Sequence, residues 1–69
     1  MKVILYTIGC PQCNVLEKKL NRAGVQYEIV NDEAFFQEHN MTLFPILEVD
    51  GVRYSLGEAN KWIKENFIP

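Results

Sequence analysis

Hydrophobic and polar positions along this chain switch repeatedly between a period of two and a period near 3.6, and each switch marks a boundary. Residues 3–8 (Val-Ile-Leu-Tyr-Thr-Ile) are nearly continuously apolar and rich in β-branched and aromatic types, which predicts a central strand covered on both faces. Over residues 11–23, Cys13, Leu16, Leu20 and Ala23 recur at helical spacing while Asn14, Glu17, Lys18 and Asn21 take the other side. Pro11 suits the first turn of that helix and Gly24 is placed to end it. Residues 25–30 alternate, with Val25, Tyr27 and Ile29 on one face, and predict a second strand. Strand, helix, strand implies a right-handed crossover with the two strands parallel.

Asn31 or Asp32 can cap a short helix running to about residue 40. Phe35 and Phe36 would face the core there, with His39 at the helix end and no catalytic duty. After Phe44-Pro45, residues 46–49 form a strand whose leading proline removes no central ladder bond. Asp50-Gly51 is a strong hairpin signal, and residues 52–54 return antiparallel. Ser55 and Glu58 have the spacing of a capping box, and Ala59, Trp62, Ile63 and Phe67 continue as a helical stripe.

The predicted order is β-α-β-α-β-β-α. Sixty-nine residues allow one domain over positions 1–69, which at this size buries only about 60% of the surface its unfolded chain exposes. A net charge of −2 with acids and bases mixed gives no basic footprint and argues against nucleic acid. No apolar run reaches transmembrane length, and the opening segment is too short for the apolar core of a signal peptide. The expectation is a monomer in a reducing cytosol. There, a close cysteine pair is more often catalytic or metal-binding than structural.

Both cysteines of the chain lie in Gly9-Cys10-Pro11-Gln12-Cys13, at the junction of the first strand and first helix. As a staple, the pair would close so short a loop that the chain-entropy gain is about 2 kcal/mol before strain, against about 3 for a fifteen-residue loop. Helical spacing puts Cys13 one turn after Cys10 on the same side. Cys10 precedes the unpaired N–H groups and the positive end of the helix dipole, so it is expected to be the more acidic thiol. Cys13, on the apolar face, is expected to stay protonated and wait.

These residues, with Phe44-Pro45 before a strand, Asp50-Gly51 leading to Gly57-Glu58, and Trp62-Ile63-Lys64-Glu65-Asn66, resemble the glutaredoxin branch of the thioredoxin-fold superfamily over nearly the whole chain. The resemblance implies a minimal thioredoxin fold, a four-stranded mixed sheet flanked by three helices. It implies a thiol–disulfide oxidoreductase acting on protein disulfides or glutathione mixed disulfides, with glutathione as co-substrate and no tightly bound cofactor. By position, Cys10 matches the nucleophile and Cys13 the resolving thiol, with Pro11 and Tyr6 supporting them. Pro45 matches a cis-proline facing the cysteines, and such a bond costs only about 0.5–1 kcal/mol. The Phe44 backbone matches the segment that pairs with the cysteinyl part of glutathione, while Gly57 and Glu58 match the segment holding its γ-glutamyl end. Gln12 and Thr7 flank the motif where substrate could be touched.

Thr7 stands where glutaredoxins commonly carry lysine, and Gln12 where they carry an aromatic. Gln12-Cys13-Asn14 is similar instead to the glutaredoxin-like hydrogen donors of ribonucleotide reductase, which implies thioredoxin reductase as an alternative electron source. A different-class alternative is a CxxC metal-binding or cluster-carrying module. Tetrahedral zinc needs four ligands, and His39 is the one histidine available. A heavy-metal-associated domain of similar length ends in a strand, where this chain predicts a terminal helix.

Overall fold

A computed structural model describes residues 1–67, and they form the element order read above. Strand β1 is Val3–Tyr6, helix α1 Pro11–Ala23, β2 Glu28–Val30, α2 Glu33–Glu38, β3 Ile46–Val49, β4 Val52–Tyr54 and α3 Leu56–Asn66. The four strands make one sheet in the order β2-β1-β3-β4. Strands β1 and β2 are parallel, with Leu5 beside Ile29, and the remaining pairs are antiparallel, with Leu5 beside Leu47 and Leu47 beside Tyr54.

Alternation along the strands sends side chains to two different layers. Val3, Leu5, Leu47 and Val49 pack with Leu16 and Leu20 of α1 and Ala59 and Ile63 of α3. Ile4, Tyr6 and Ile46 turn the other way, toward Phe36 of α2 and Met41. Helix α1 ends where Gly24 takes φ 76°, a conformation that costs a residue without Cβ little. In the hairpin, Asp50 at φ 49° and Gly51 at φ 87° supply the two positive φ values that a two-residue turn of this hand requires.

Several boundaries differ from expectation, each for a local reason. Strand β1 stops at Tyr6 and not at residue 8, because the Thr7 hydroxyl captures the Gly9 N–H at 3.1 Å and Gly9 turns at φ 75°. The second strand does not start at residue 25. The Val25 N–H is held by the Leu20 carbonyl at 3.1 Å, as part of the helix end, and is withheld from the ladder. Ile29, expected to face the core, is half exposed on this edge strand. Helix α2 is capped by Asp32, which accepts from the N–H groups of Ala34 at 3.0 Å and Phe35 at 3.3 Å. It ends before residue 40, since Asn40 takes φ 54°. Phe35, Trp62 and Phe67 are half buried, at the margins of the two layers.

Candidate functional site

Cys10 is the residue that caps α1. Its backbone is extended, its carbonyl accepts the Asn14 N–H at 3.0 Å, and its sulfur accepts the Cys13 N–H at 3.1 Å. Pro11 occupies the first helical position, where its missing N–H leaves nothing unsatisfied. The two cysteines are both free thiols and differ sharply in access: Cys10 is partly exposed, whereas Cys13 is 0% exposed beneath it.

The two thiols push one another in opposite directions. The side-chain bond shared with Cys13 pushes Cys10 up, more than the N–H groups of Cys13 and Gln12 pull it down. Burial pushes Cys13 up, but hydrogen bonds from Cys10, from the Thr7 hydroxyl and from the Ile8 and Cys10 backbone together bring it below its ordinary value. These directions run opposite to the expected ordering of an acidic Cys10 above a protonated Cys13. The donors that favour ionisation converge on Cys13. What separates the sulfurs is reach. An external disulfide can contact Cys10, while Cys13 has no surface to offer it.

Thr7 is also placed differently from expectation. It is buried rather than solvated or facing substrate, and its backbone N–H extends the β1–β2 pairing to the Val30 carbonyl at 3.1 Å. Gln12 and Pro11 are exposed on the first turn of α1.

The Phe44-Pro45 peptide is cis, and Pro45 is buried. Phe44 is half buried, with its ring 4.6 Å from that of Phe36. Phe44 and Pro45 line a hollow of about 330 Å³ with Arg53, Tyr54, Ser55 and Leu56. A second hollow of about 550 Å³ lies between Ile8, Phe36, Met41 and Phe44. Gly57 and Glu58 lie in the first turn of α3, and the Glu58 carboxylate accepts from the Ser55 N–H at 3.3 Å and the Ser55 hydroxyl at 2.9 Å.

Tyr6 belongs to the α2 side of the sheet. Its ring stacks on Phe35 at 5.8 Å and meets Phe36 edge-on at 6.2 Å, with the Arg53 guanidinium 5.7 Å from its centre. Arg53 itself pairs with Glu48 at 3.2 Å. His39 is exposed, its ring 4.2 Å from that of Phe35. Lys19 donates to the Asn60 side chain at 3.0 Å and ties α1 to α3. The two sulfurs are the soft donors on offer to a metal, and among the described residues no group of three or more His, Cys, Asp or Glu side chains could hold one. No helix among the described residues is long and apolar enough to cross a membrane.

A partly exposed sulfur over a buried one is an arrangement that can carry out thiol–disulfide exchange. No family model matches the sequence, and no curated protein matches it. Among solved structures, the chain is similar to NrdH-redoxin from Escherichia coli, described as a glutaredoxin-like protein with a thioredoxin-like activity profile. The two share 17% identity at a TM-score of 0.69, over 88% of this chain and 93% of that one. At that identity the likeness speaks for architecture, and this chain has the small α/β thioredoxin-like fold with a mixed four-stranded sheet and three helices.

Proposed function

We propose that this chain is a dithiol oxidoreductase that reduces protein disulfides, with Cys10 as nucleophile and Cys13 as resolving thiol. The supporting observation is the unequal access of two free thiols held together at the start of α1, Cys10 partly exposed and Cys13 buried. In this reading the Cys10 thiolate attacks one sulfur of a substrate disulfide, and the other substrate sulfur leaves and takes up a proton. Cys13 then attacks the Cys10 sulfur and releases the second substrate thiol. The substrate gains two electrons and two protons, and the chain is left with a Cys10–Cys13 disulfide.

Electrons must then return to that disulfide. Glutathione, the co-substrate that the glutaredoxin resemblance implies, would lie along Phe44 and Pro45 with its γ-glutamyl end toward Gly57 and Glu58. A specific observation favours thioredoxin reductase instead. The Glu58 carboxylate takes the Ser55 donors itself and leaves a negative charge at the start of α3, where a second carboxylate would have to bind. Gln12-Cys13-Asn14 and the thioredoxin-like activity profile of the similar NrdH-redoxin support the same choice. Ribonucleotide reductase is then an acceptor to try.

The deciding experiment supplies the oxidised protein with either thioredoxin reductase or glutathione plus glutathione reductase, and follows NADPH consumption. Turnover with thioredoxin reductase is expected to exceed that with glutathione. Turnover with neither would overturn the oxidoreductase reading. Cys10→Ser should abolish turnover with any source.

A further inference from the structure

The larger hollow, of about 550 Å³, has the size of a site that takes a small ligand or a side chain. Phe36 and Met41, at 4% and 7% exposure, form its floor, Phe44 is a half-buried wall, and Ile8 stands at the rim with 55% exposure. Ile8 is two residues before Cys10, so their Cα atoms are at most about 7 Å apart in any conformation. One rim of the hollow therefore lies beside the reacting sulfur.

The other rim is acidic. Glu33 lines it, is exposed, and pairs with no cation among the described residues, whose ion pairs are Arg53 with Glu48 and Lys61 with Glu65. Charge along the chain is segregated in the same sense. No lysine or arginine stands between Arg22 and Arg53, a stretch with six acids, whereas α1 holds Lys18, Lys19 and Arg22 against Glu17 alone. The segment that builds most of the hollow thus carries negative charge that no cation of its own offsets.

We propose that this hollow selects the substrate: it takes an apolar side chain within two or three positions of the substrate's reactive cysteine, and Glu33 pairs with a lysine or arginine beside that side chain. The inference rests on the oxidoreductase reading and names its substrate class, a disulfide set in a basic and apolar segment. The spacing follows from reach, since an extended chain advances about 3.3–3.6 Å per residue and two residues cover the distance from Cys10 to Ile8. A second copy of this chain fits less well, because a two-fold pairing of like surfaces sets Glu33 near Glu33. An acidic segment would meet the same repulsion.

In the test, fully reduced chain is mixed with symmetrical peptide disulfides in single turnover, without an electron source, and acid-quenched for mass analysis. Each event breaks the peptide S–S bond and forms the Cys10–Cys13 bond, and two electrons and two protons pass to the two released peptide thiols. The peptides carry leucine with arginine, leucine with glutamate, or glycine with arginine beside the cysteine, and every rate is divided by that with dithiothreitol to remove the peptide's own reactivity. Leucine with arginine should outpace leucine with glutamate about tenfold at low salt and about twofold in about 1 M salt, where screening acts within about 3 Å. Glu33→Gln should cut the low-salt ratio about two- to fivefold, the worth of one exposed pair. Glu65→Gln, the same charge change on α3, should leave it in place. Leucine with arginine should also outpace glycine with arginine, and Ile8→Ser should lower that advantage about threefold. A preference for glutamate or none, equal effects of the two glutamine variants, or a leucine advantage indifferent to Ile8→Ser would overturn the inference and leave the chemistry standing. A sedimenting mass that doubles with concentration and reverts in Ile8→Ser would give the hollow to a second copy and overturn it as well. Reduction of none of the peptides would overturn the oxidoreductase proposal itself.

Discussion

On the face of the sheet covered by α1 and α3, Leu5, Leu16, Leu20, Leu47 and Ile63 are no more than 1% exposed, and every one is aliphatic. On the α2 face the buried set is Tyr6, Phe36 and Met41, flanked by half-open Phe35, Phe44 and Ile46. Two long helices seal the first layer, while a six-residue helix and a loop cover the second. The sealed layer anchors α1, and with it the buried sulfur. The thinly covered layer holds Phe44 and the larger of the two hollows beside it. Complete and partial burial are thus divided between the two faces. The aromatic side trades complete burial for flat rings that pack at the surface.

The largest effect that can break this comparison is a matched pair of truncations. Leu20→Ala is expected to cost about 2–5 kcal/mol, the range for emptying a sealed aliphatic site. Phe35→Ala, though it removes more atoms, is expected to cost about 1 kcal/mol because the ring is already half in water. Denaturant unfolding measures both, and equal losses would erase the distinction between the layers.

Next in size is the polar contact on the α2 face. Burial first, then the charge of Glu48 and a hydrogen bond to it, raise the Tyr6 phenol above its ordinary value near 10, against an opposing pull from Arg53. Tyr6 therefore keeps its proton in the folded chain where the unfolded chain has lost it. The native state binds more protons, so stability is expected to fall as pH rises above about 10. Tyr6→Phe should lower stability by about 1 kcal/mol at neutral pH and make that alkaline decline shallower. Tyr27, raised by burial and by Glu17, would keep part of it. Unfolding midpoints between pH 7 and 11 check both statements.

The smallest effect is local. Asp32→Ala removes the cap of α2 and should cost about 1 kcal/mol. Amide exchange should quicken over residues 33–38 while α1 exchanges only through global unfolding.

Much of this architecture was legible because apolar spacing and turn chemistry agree along the chain. Helix 11–23, strands 46–49 and 52–54, and the Asp50-Gly51 turn appear where the sequence places them. The misread positions are those where a polar group competes with a ladder. The Thr7 hydroxyl takes the Gly9 N–H, and the Leu20 carbonyl takes that of Val25, so both strands shorten. Periodicity has no access to such contests. The cysteine pair and the cis Phe44-Pro45 bond were visible through family resemblance. The burial of Thr7 was not, because a threonine beside a motif reads equally well as solvated. The directions in which the two thiols are pushed were hidden for a related reason. They depend on donors brought to Cys13 from the segment after β1, which helix position alone does not reveal.

The central claim is that reach, and not separate acidity, assigns the roles of the two sulfurs. Site-resolved alkylation of the reduced native chain, followed by mass spectrometry across pH, tests it directly. Cys10 is expected to react first at every pH, with one ionisation governing its rate, and Cys13 only at the rate at which the chain opens. Modification of Cys13 in the folded protein as fast as Cys10 would contradict the account.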